Sequence, residues 1–257
     1  MKAEVEIGNK KYNIDFSKGI DIAIPLNFNG DQPNTYGVEK ATSKPYQDGQ
    51  FIGDTREGGP CNFETYSFTP HCNGTHTECI GHITDERISI LSSLKEEMIP
   101  STLISVTPKK TSEDLVITRE ELEQKLQNIN SDFLRGIIIR TLPNSDTKKS
   151  RNYMKETPAF FSINAMEYIV SLGVRHLLVD TPSVDRLFDE GHLSAHNIFW
   201  ETNGKKFNPA AQNKTITEMI FVADSLDDGR YLLNLQIPAF VSDAAPSRPI
   251  LYKINEL

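Results

Sequence analysis

The amino-acid sequence predicts a mixed α/β fold in which buried strands alternate with capped helices. Residues 136–141 (GIIIRT) and 176–180 (HLLVD) are short apolar runs, typical of strands that are covered on both faces. Between them, residues 162–172 begin with a serine that can cap a helix and then repeat apolar residues at helical spacing. Strand-like segments follow at 231–237 and 249–254, so we expect a mixed sheet built from both halves of the chain.

The N-terminal region predicts strands followed by a long loop. Residues 3–7 and 11–15 alternate apolar and polar side chains around a turn at Gly8, which predicts a hairpin. Residues 21–26 resemble a short strand that ends at a proline. Residues 27–60 are rich in Gly, Pro, Asn and Asp, which predicts an irregular and functional loop.

Two further elements precede the buried strands. Residues 103–106 are apolar and predict a strand. Thr118 is placed as a helix N-cap with Glu121 at the capping-box position, and the helix is expected to run to about Gln127.

Composition excludes several classes of partner. The chain has 257 residues and a net charge of -8, which disfavours binding to the phosphate backbone of nucleic acids. No apolar run approaches the roughly 18 residues that cross a bilayer, so we expect no membrane insertion. The N-terminus mixes both charge signs and lacks the apolar centre of a signal peptide, which predicts a cytoplasmic protein.

The three cysteines do not predict a disulfide scaffold, because they are few and odd in number. Cys61, Cys72 and Cys79 all lie near a histidine cluster, so a structural zinc site with thiolate ligands is one interpretation. No pair has the C-x-x-C spacing of such sites. The favoured interpretation is that they are small buried residues that line the cluster.

A dense histidine cluster is the most informative functional feature. Three of the six histidines, His71, His76 and His82, fall within twelve residues, together with Glu78. Neutral imidazoles and a carboxylate are common protein ligands of catalytic zinc or manganese. The segment therefore predicts a metal site.

A second group of polar residues follows the strand at 176–180. Polar groups at the carboxyl end of a buried strand lie where α/β sheets usually carry chemistry. For Asp180 and Asp185 the favoured role is structural: they cap the next turn and accept hydrogen bonds from backbone amides, with Asp180 close to the site.

Seven segments resemble the metal-dependent cyclase family, which includes bacterial kynurenine formamidases and isatin hydrolases. The segment 74–82 (GTHTECIGH) resembles the family signature H-x-G-T-H-x-D-x-P-x-H, and 179–185 (VDTPSVD) resembles D-T-P-S-x-D. Five shorter segments keep the family order, namely 21–26 (DIAIPL), 136–141 (GIIIRT), 193–196 (LSAH), 216–220 (ITEMI) and 245–249 (APSRP). The resemblance implies a swivelling α/β/β architecture in a single domain over 1–257, and a homo-oligomer.

The resemblance also implies roles for particular residues. His71 and His76 would bind one metal ion, and Glu78 would be shared with a second ion. His196 and Glu218 would complete the second site, and His82 would transfer protons. Zinc or manganese, as one or two ions, would then act on the carbonyl of a small-molecule substrate.

The cluster departs from the family pattern, which leaves alternatives open. One additional residue separates His71 from His76, so Cys72 rather than His71 falls at the first ligand position in an ungapped comparison. Glu78 replaces an aspartate, and Ile80 replaces a proline. The 22 residues from His196 to Glu218 are more than is typical of the family, which a surface insertion at 201–214 would explain.

Two choices remain within residues 192–218, the late segment of the proposed site. His192 and His196 are four residues apart and would share a helix face, and His196 is favoured. Glu201 competes with Glu218, which is favoured by its apolar neighbours. His176 is predicted to be structural.

The predicted function is a metal-dependent hydrolase of a small amide, lactam or related cyclic carbonyl compound, similar to kynurenine formamidase. The alternatives are a metal-dependent cyclase or dehydratase, or a noncatalytic small-molecule-binding protein of the same fold.

Overall fold

One mixed β-sheet of eleven strands organises the protein, in a computed structural model that describes residues 1–257. The strands are β1 (Lys2–Ile7), β2 (Lys10–Asp15), β3 (Ile20–Asp21), β4 (Thr42–Pro45), β5 (Gln47–Asp48), β6 (Phe51–Ile52), β7 (Glu64–Ser67), β8 (His76–Cys79), β9 (Met98–Val106), β10 (Lys109–Lys110), β11 (Leu115–Ile117), β12 (Gly136–Thr141), β13 (Ala159–Phe161), β14 (His176–Val179), β15 (Thr215–Glu218), β16 (Gly229–Asn234), β17 (Ala244–Pro246) and β18 (Ile250–Glu256). The α-helices are α1 (Pro70–Asn73), α2 (Ile90–Ser93), α3 (Arg119–Leu126), α4 (Ile163–Ser171) and α5 (Ser194–Phe199), and short 3-10 turns occur at Thr55–Glu57, Ile80–His82, Ser131–Phe133, Asp146–Ser150 and Pro209–Ala211.

The large sheet has the order β1-β2-β18-β16-β9-β12-β14-β15-β8-β17, with β3 paired to β18. Its centre is parallel, because β9, β12, β14 and β15 run in the same direction, whereas β16 and β8 join its two sides antiparallel. The mixed α/β fold class predicted from the sequence is confirmed, and strands from both ends of the chain share the sheet. Three small sheets, β10-β11-β13, β4-β7 and β5-β6, lie outside it.

The apolar run on β12 is buried because both faces of the central sheet are covered. All six residues of β12 are buried. Ile137 and Ile139 belong to a large core cluster shared with the helices, which includes Leu122 of α3 and Met166 of α4. Ile138 points to the opposite face and joins a second cluster. This alternation follows from the two-residue period of a strand.

The predicted helix starts are confirmed. The Thr118 hydroxyl accepts a hydrogen bond from the Glu121 amide at the start of α3, and Ser162 accepts one from the Ala165 amide at the start of α4. Each cap satisfies an amide that has no partner within the helix. The N-terminal hairpin of β1 and β2 also forms as predicted.

Two N-terminal predictions are wrong in part. The predicted strand at 21–26 is reduced to β3 and an isolated bridge between Ala23 and Ile220. The predicted loop at 27–60 contains β4, β5 and β6. These short strands form because β4 pairs with β7, which lies beyond the predicted loop, and β5 pairs with β6.

No helix in the structure has both the length and the apolar character needed to cross a membrane.

Candidate metal centre

Strand β8 places two of the predicted ligands on one side of the sheet. His76 and Glu78 are two residues apart on β8, so their side chains project from the same face. The antiparallel register with β15 sets Glu218 directly opposite His76. As a result, His76 Nε2 lies 3.4 Å from Glu218 Oε2, and all three side chains are buried.

Helix α5 places His196 beside Glu78 and Glu218. His196 Nε2 lies 2.9 Å from Glu78 Oε1 and 3.7 Å from Glu218 Oε1. The opposite ring nitrogen, Nδ1, lies 2.5 Å from Asp185 Oδ2, and the Asp185 carboxylate also accepts hydrogen bonds from the backbone amides of Ala195 and His196. Asp185 therefore caps backbone amides as predicted, and it also orients the His196 imidazole, a role that the sequence analysis missed.

His71 and His82 form a pair at the more exposed edge of the cluster. His71 belongs to α1 and His82 to the 3-10 turn Ile80–His82, and their rings stack with centroids 4.4 Å apart. His71 Nε2 is 3.5 Å and His82 Nε2 is 3.7 Å from Glu78 Oε2. A fourth carboxylate, that of Asp243, was missed by the sequence analysis; it lies 3.1 Å from His71 Nε2 and 3.4 Å from His82 Nδ1.

The structure thus brings together the five predicted ligands and His82. Their nitrogen and carboxylate oxygen atoms are close enough to one another to bind a divalent ion. Three groups have ligand atoms within 4.8 Å of one another: His76 with Glu78 and Glu218, Glu78 with His82 and His196, and His71 with His82 and Asp243. His71 Nε2, His76 Nε2 and Glu78 Oε2 are buried atoms without a hydrogen-bond partner. Buried polar atoms rarely lack partners, and their convergence is the arrangement that a metal ion would satisfy.

The charges in the cluster also suit a cation. Burial acts to raise the pKa of Glu78, but the imidazoles of His82 and His196 outweigh it and hold the pKa well below its ordinary value. Glu78 therefore stays ionised, which is the form that binds metal. Burial acts to lower the pKa of His196, but the carboxylates of Glu78 and Asp185 raise it well above its ordinary value. The carboxylates of the cluster therefore favour a positive charge beside them, on an imidazole or on a bound ion.

Two of the three cysteines lie beside the ligand groups, Cys72 after His71 on α1 and Cys79 after Glu78 on β8. Cys72 and Cys79 are buried, as predicted, whereas Cys61 is exposed, so the prediction is wrong for Cys61. Cys61 lies in the exposed segment before β7 and not in the cluster. Burial, followed by the charge of Glu218, raises the pKa of the Cys72 thiol to about 11. None of the three ligand groups contains a cysteine.

The alternative residues of the late segment lie outside the cluster. His192 is exposed, and Glu201 pairs at 2.5 Å with Lys214 on the surface. The structure thus brings His196 and Glu218 into the site instead. His176 is buried within β14, as expected for a structural histidine.

Asp180 accepts a hydrogen bond from a backbone amide, as predicted, but it does not cap the next turn. Its carboxylate accepts hydrogen bonds from the amide and hydroxyl of Thr141 on the neighbouring strand, and it pairs with buried Lys148 at 2.7 Å. The reason is that β12 and β14 are parallel neighbours, so their carboxyl ends meet at the same edge. Asp180 thereby anchors the start of the segment that leads to Asp185.

A cavity of about 840 Å³ opens over the cluster. Glu78, His82, His196 and Glu218 contribute to its floor, and no lysine or arginine lines it. Apolar side chains such as Leu187 and Leu193 form part of the wall, and the rings of Tyr36 and Phe188, which also line the cavity, meet edge to face at 6.5 Å. The cavity has the size of a small-molecule site, and its convergent polar groups lie on one side of it.

Comparisons with known proteins agree with this architecture. A kynurenine formamidase from Bacillus cytotoxicus is 24% identical over 242 residues, which cover 91% of this chain and 97% of that protein. A solved isatin hydrolase bound to the product analogue thioisatinate has a TM-score of 0.65 at 15% identity, with 93% of each chain covered. A solved structure described as a potential metal-dependent hydrolase with cyclase activity has a TM-score of 0.63 at 18% identity, covering 91% of this chain and 97% of that one.

The two solved structures establish a common fold, and the family is established by sequence. The sequence profile of the Cyclase family matches residues 20–186, more than half of the chain, and this range includes β8, β12 and β14. The chain therefore belongs to the cyclase family.

Proposed function

We propose that this protein is a metal-dependent hydrolase of small amides, lactams or related cyclic carbonyl compounds. One or two divalent ions would be held by His76, Glu78, His196 and Glu218, with His71 at the edge of the same cluster. The observation that carries this proposal is the convergence of buried, unpartnered nitrogen and carboxylate atoms under a cavity. Family membership and the likeness to a kynurenine formamidase support the same reaction class.

The residues around the cavity would have different roles in the reaction. A bound divalent ion would supply Lewis acidity toward a carbonyl oxygen and toward water. His82 lines the cavity beside the ligands and is partly exposed, so it can carry a proton at Nε2 between the cluster and a departing amine. Asp185 holds the His196 ring in the orientation that points Nε2 at Glu78.

The ligand set suits either zinc or manganese. Imidazole and carboxylate ligands bind both metals, and a thiolate, which would favour zinc, is absent from the three ligand groups. Elemental analysis of the purified protein would give both the identity and the number of ions.

The decisive experiment measures metal and turnover together. Wild-type protein is expected to bind metal stoichiometrically and to hydrolyse N-formylkynurenine or isatin. The variant His76→Ala should lose the metal, whereas His82→Ala should keep metal and lose turnover. His192→Ala is the matched control, because His192 is exposed four residues from His196 and should leave both properties unchanged.

Other outcomes separate the alternatives. Bound metal with no turnover across a panel of amides, esters and lactams would favour a cyclase or dehydratase. The absence of bound metal would favour a noncatalytic binding protein. Comparing His71→Ala with Cys72→Ala for metal retention tests which residue occupies the first ligand position, and loss is expected for His71→Ala alone.

We also propose that residues 1–257 form a single domain that assembles as a cytoplasmic homo-oligomer. Strands from residues 2 to 256 enter one sheet, which supports a single domain. The segment from β4 to β7 exposes three aromatic residues, Tyr46, Phe63 and Tyr66. Contact with a second copy of the chain would bury them, which supports assembly. Light scattering after size-exclusion chromatography would measure the assembly state.

A further inference from the structure

Asp243 lies against the site, but the metal-binding role proposed above does not use it. It directly precedes β17, and its side chain is half-buried beside the stacked pair His71 and His82. Asp243 Oδ2 lies within hydrogen-bond distance of His82 Nδ1, at 3.4 Å, and an ionised carboxylate can only accept in such a contact. The same oxygen lies 3.1 Å from His71 Nε2, but that contact lacks the alignment of a hydrogen bond.

The backbone around Asp243 is fixed to the strand that carries the candidate ligands. Strand β17 pairs antiparallel with β8, with Ala244 opposite Glu78. One residue earlier, the Asp243 carbonyl accepts a hydrogen bond from the Cys79 amide at 3.0 Å. His82 follows Cys79 within the next three residues, in a 3-10 turn. The position of the carboxylate relative to the His82 ring is therefore set by strand register and not by a flexible loop.

The two nitrogens of His82 face different surroundings. Nδ1 faces Asp243, whereas Nε2 faces Glu78 Oε2 at 3.7 Å, on the side of the cavity. A carboxylate that accepts from one imidazole nitrogen fixes the tautomer and leaves the other nitrogen free to exchange a proton. Stacking against His71 also limits tilting of the ring.

We propose that Asp243 is a positioning residue for His82: it holds Nδ1 in the protonated state and directs the unprotonated Nε2 into the cavity. The catalytic part of this inference rests on the hydrolase function proposed above, whereas the tautomer itself does not. The carboxylate acts through His82 and does not touch the substrate.

The test compares Asp243→Asn with wild type in the zinc-loaded protein. With isatin or N-formylkynurenine as the probe, kcat is expected to fall by about 10²-fold or more, because proton transfer by a positioned side chain contributes about that much. KM is expected to stay within about threefold, since the cavity wall is unchanged. Asp243→Glu keeps the carboxylate and should retain more activity than Asp243→Asn.

A second measurement does not depend on turnover. Two-dimensional 15N–1H spectra that correlate ring nitrogens with ring protons report the tautomer of each histidine, and the His82→Gln variant identifies the His82 signals. Wild type should show the Nδ1-protonated tautomer, and Asp243→Asn should show its loss while bound zinc is unchanged. Asp227→Asn is the matched control, because it removes an exposed carboxylate far from the cavity lining, and it should change neither kcat nor the His82 signals.

Three results would overturn the proposal. One is an Nε2-protonated or metal-bound His82 in wild type. Another is a kcat for Asp243→Asn within threefold of wild type. The third is loss of zinc in Asp243→Asn, which would make Asp243 part of the metal cluster. If wild type hydrolyses nothing, the hydrolase function fails, but the spectra still decide whether Asp243 sets the His82 tautomer.

Discussion

Replacement of His176 with asparagine should change how the stability of the protein depends on pH. His176 is 1% exposed on β14, with Nδ1 2.9 Å from the Thr215 hydroxyl and Nε2 without a partner. Burial, opposed by Glu96, lowers the pKa of His176 from 6.5 to about 4. The buried ring therefore stays neutral at a pH where the same ring in the unfolded chain is charged.

The direction in which the free energy of unfolding changes with pH follows from which state binds the proton. Above pH 6.5 neither state protonates this histidine, so it adds no pH dependence. As the pH falls below 6.5 the unfolded chain binds the proton and the folded chain does not, so the free energy of unfolding decreases until the pH approaches 4. The lowering of the pKa corresponds to about 3 kcal/mol, since one pKa unit is about 1.4 kcal/mol.

Urea unfolding at several pH values between 4 and 7 measures this effect. The difference in free energy of unfolding between wild type and His176→Asn should shift by about 3 kcal/mol against wild type as the pH falls across this range. Taking the difference cancels the contribution of all other titrating groups. His192→Asn, at an exposed position, controls for the loss of an imidazole. A pH-independent difference for His176→Asn would refute the reasoning.

Three further predictions concern buried contacts. Lys148→Met should lower the free energy of unfolding by about 3–5 kcal/mol, because it leaves the buried Asp180 carboxylate without its cation, and urea unfolding measures the loss. Asp185→Asn should weaken zinc binding by about 10–100-fold, because the His196 ring loses the carboxylate that orients it, and competition with a chromogenic chelator measures the affinity. Trp200→Ala should destabilise the protein by about 3–5 kcal/mol, because its side chain is fully buried, and an unchanged urea midpoint would contradict this.

Much of the secondary structure was predictable because its causes are local. The caps at Thr118 and Ser162 act on amides three residues away, and the apolar run of β12 is continuous in sequence. Strand β4 was missed because four residues form a strand only when another segment pairs with them, and its partner β7 lies about twenty residues further along the chain.

The candidate site was predictable to the extent that it is contiguous in sequence. His71, His76, Glu78 and His82 are found by spacing alone, and family order adds the favoured residues of the late segment. Spacing could not separate His192 from His196, because both would occupy the same face of a helix. The carboxylate of Asp185 decides this choice, since it holds His196 toward Glu78. The signal that was available for Asp185 was its position in the segment VDTPSVD.

By itself, the sequence of this protein determined a mixed α/β fold, the capped helices and a histidine-rich segment suited to a metal. Only the tertiary structure decided which acidic groups meet those imidazoles, and it added Asp243 through the pairing of β17 with β8. The physical reason is that strand register sets which distant side chains share a face, and a slip of one residue would turn each of them to the other side.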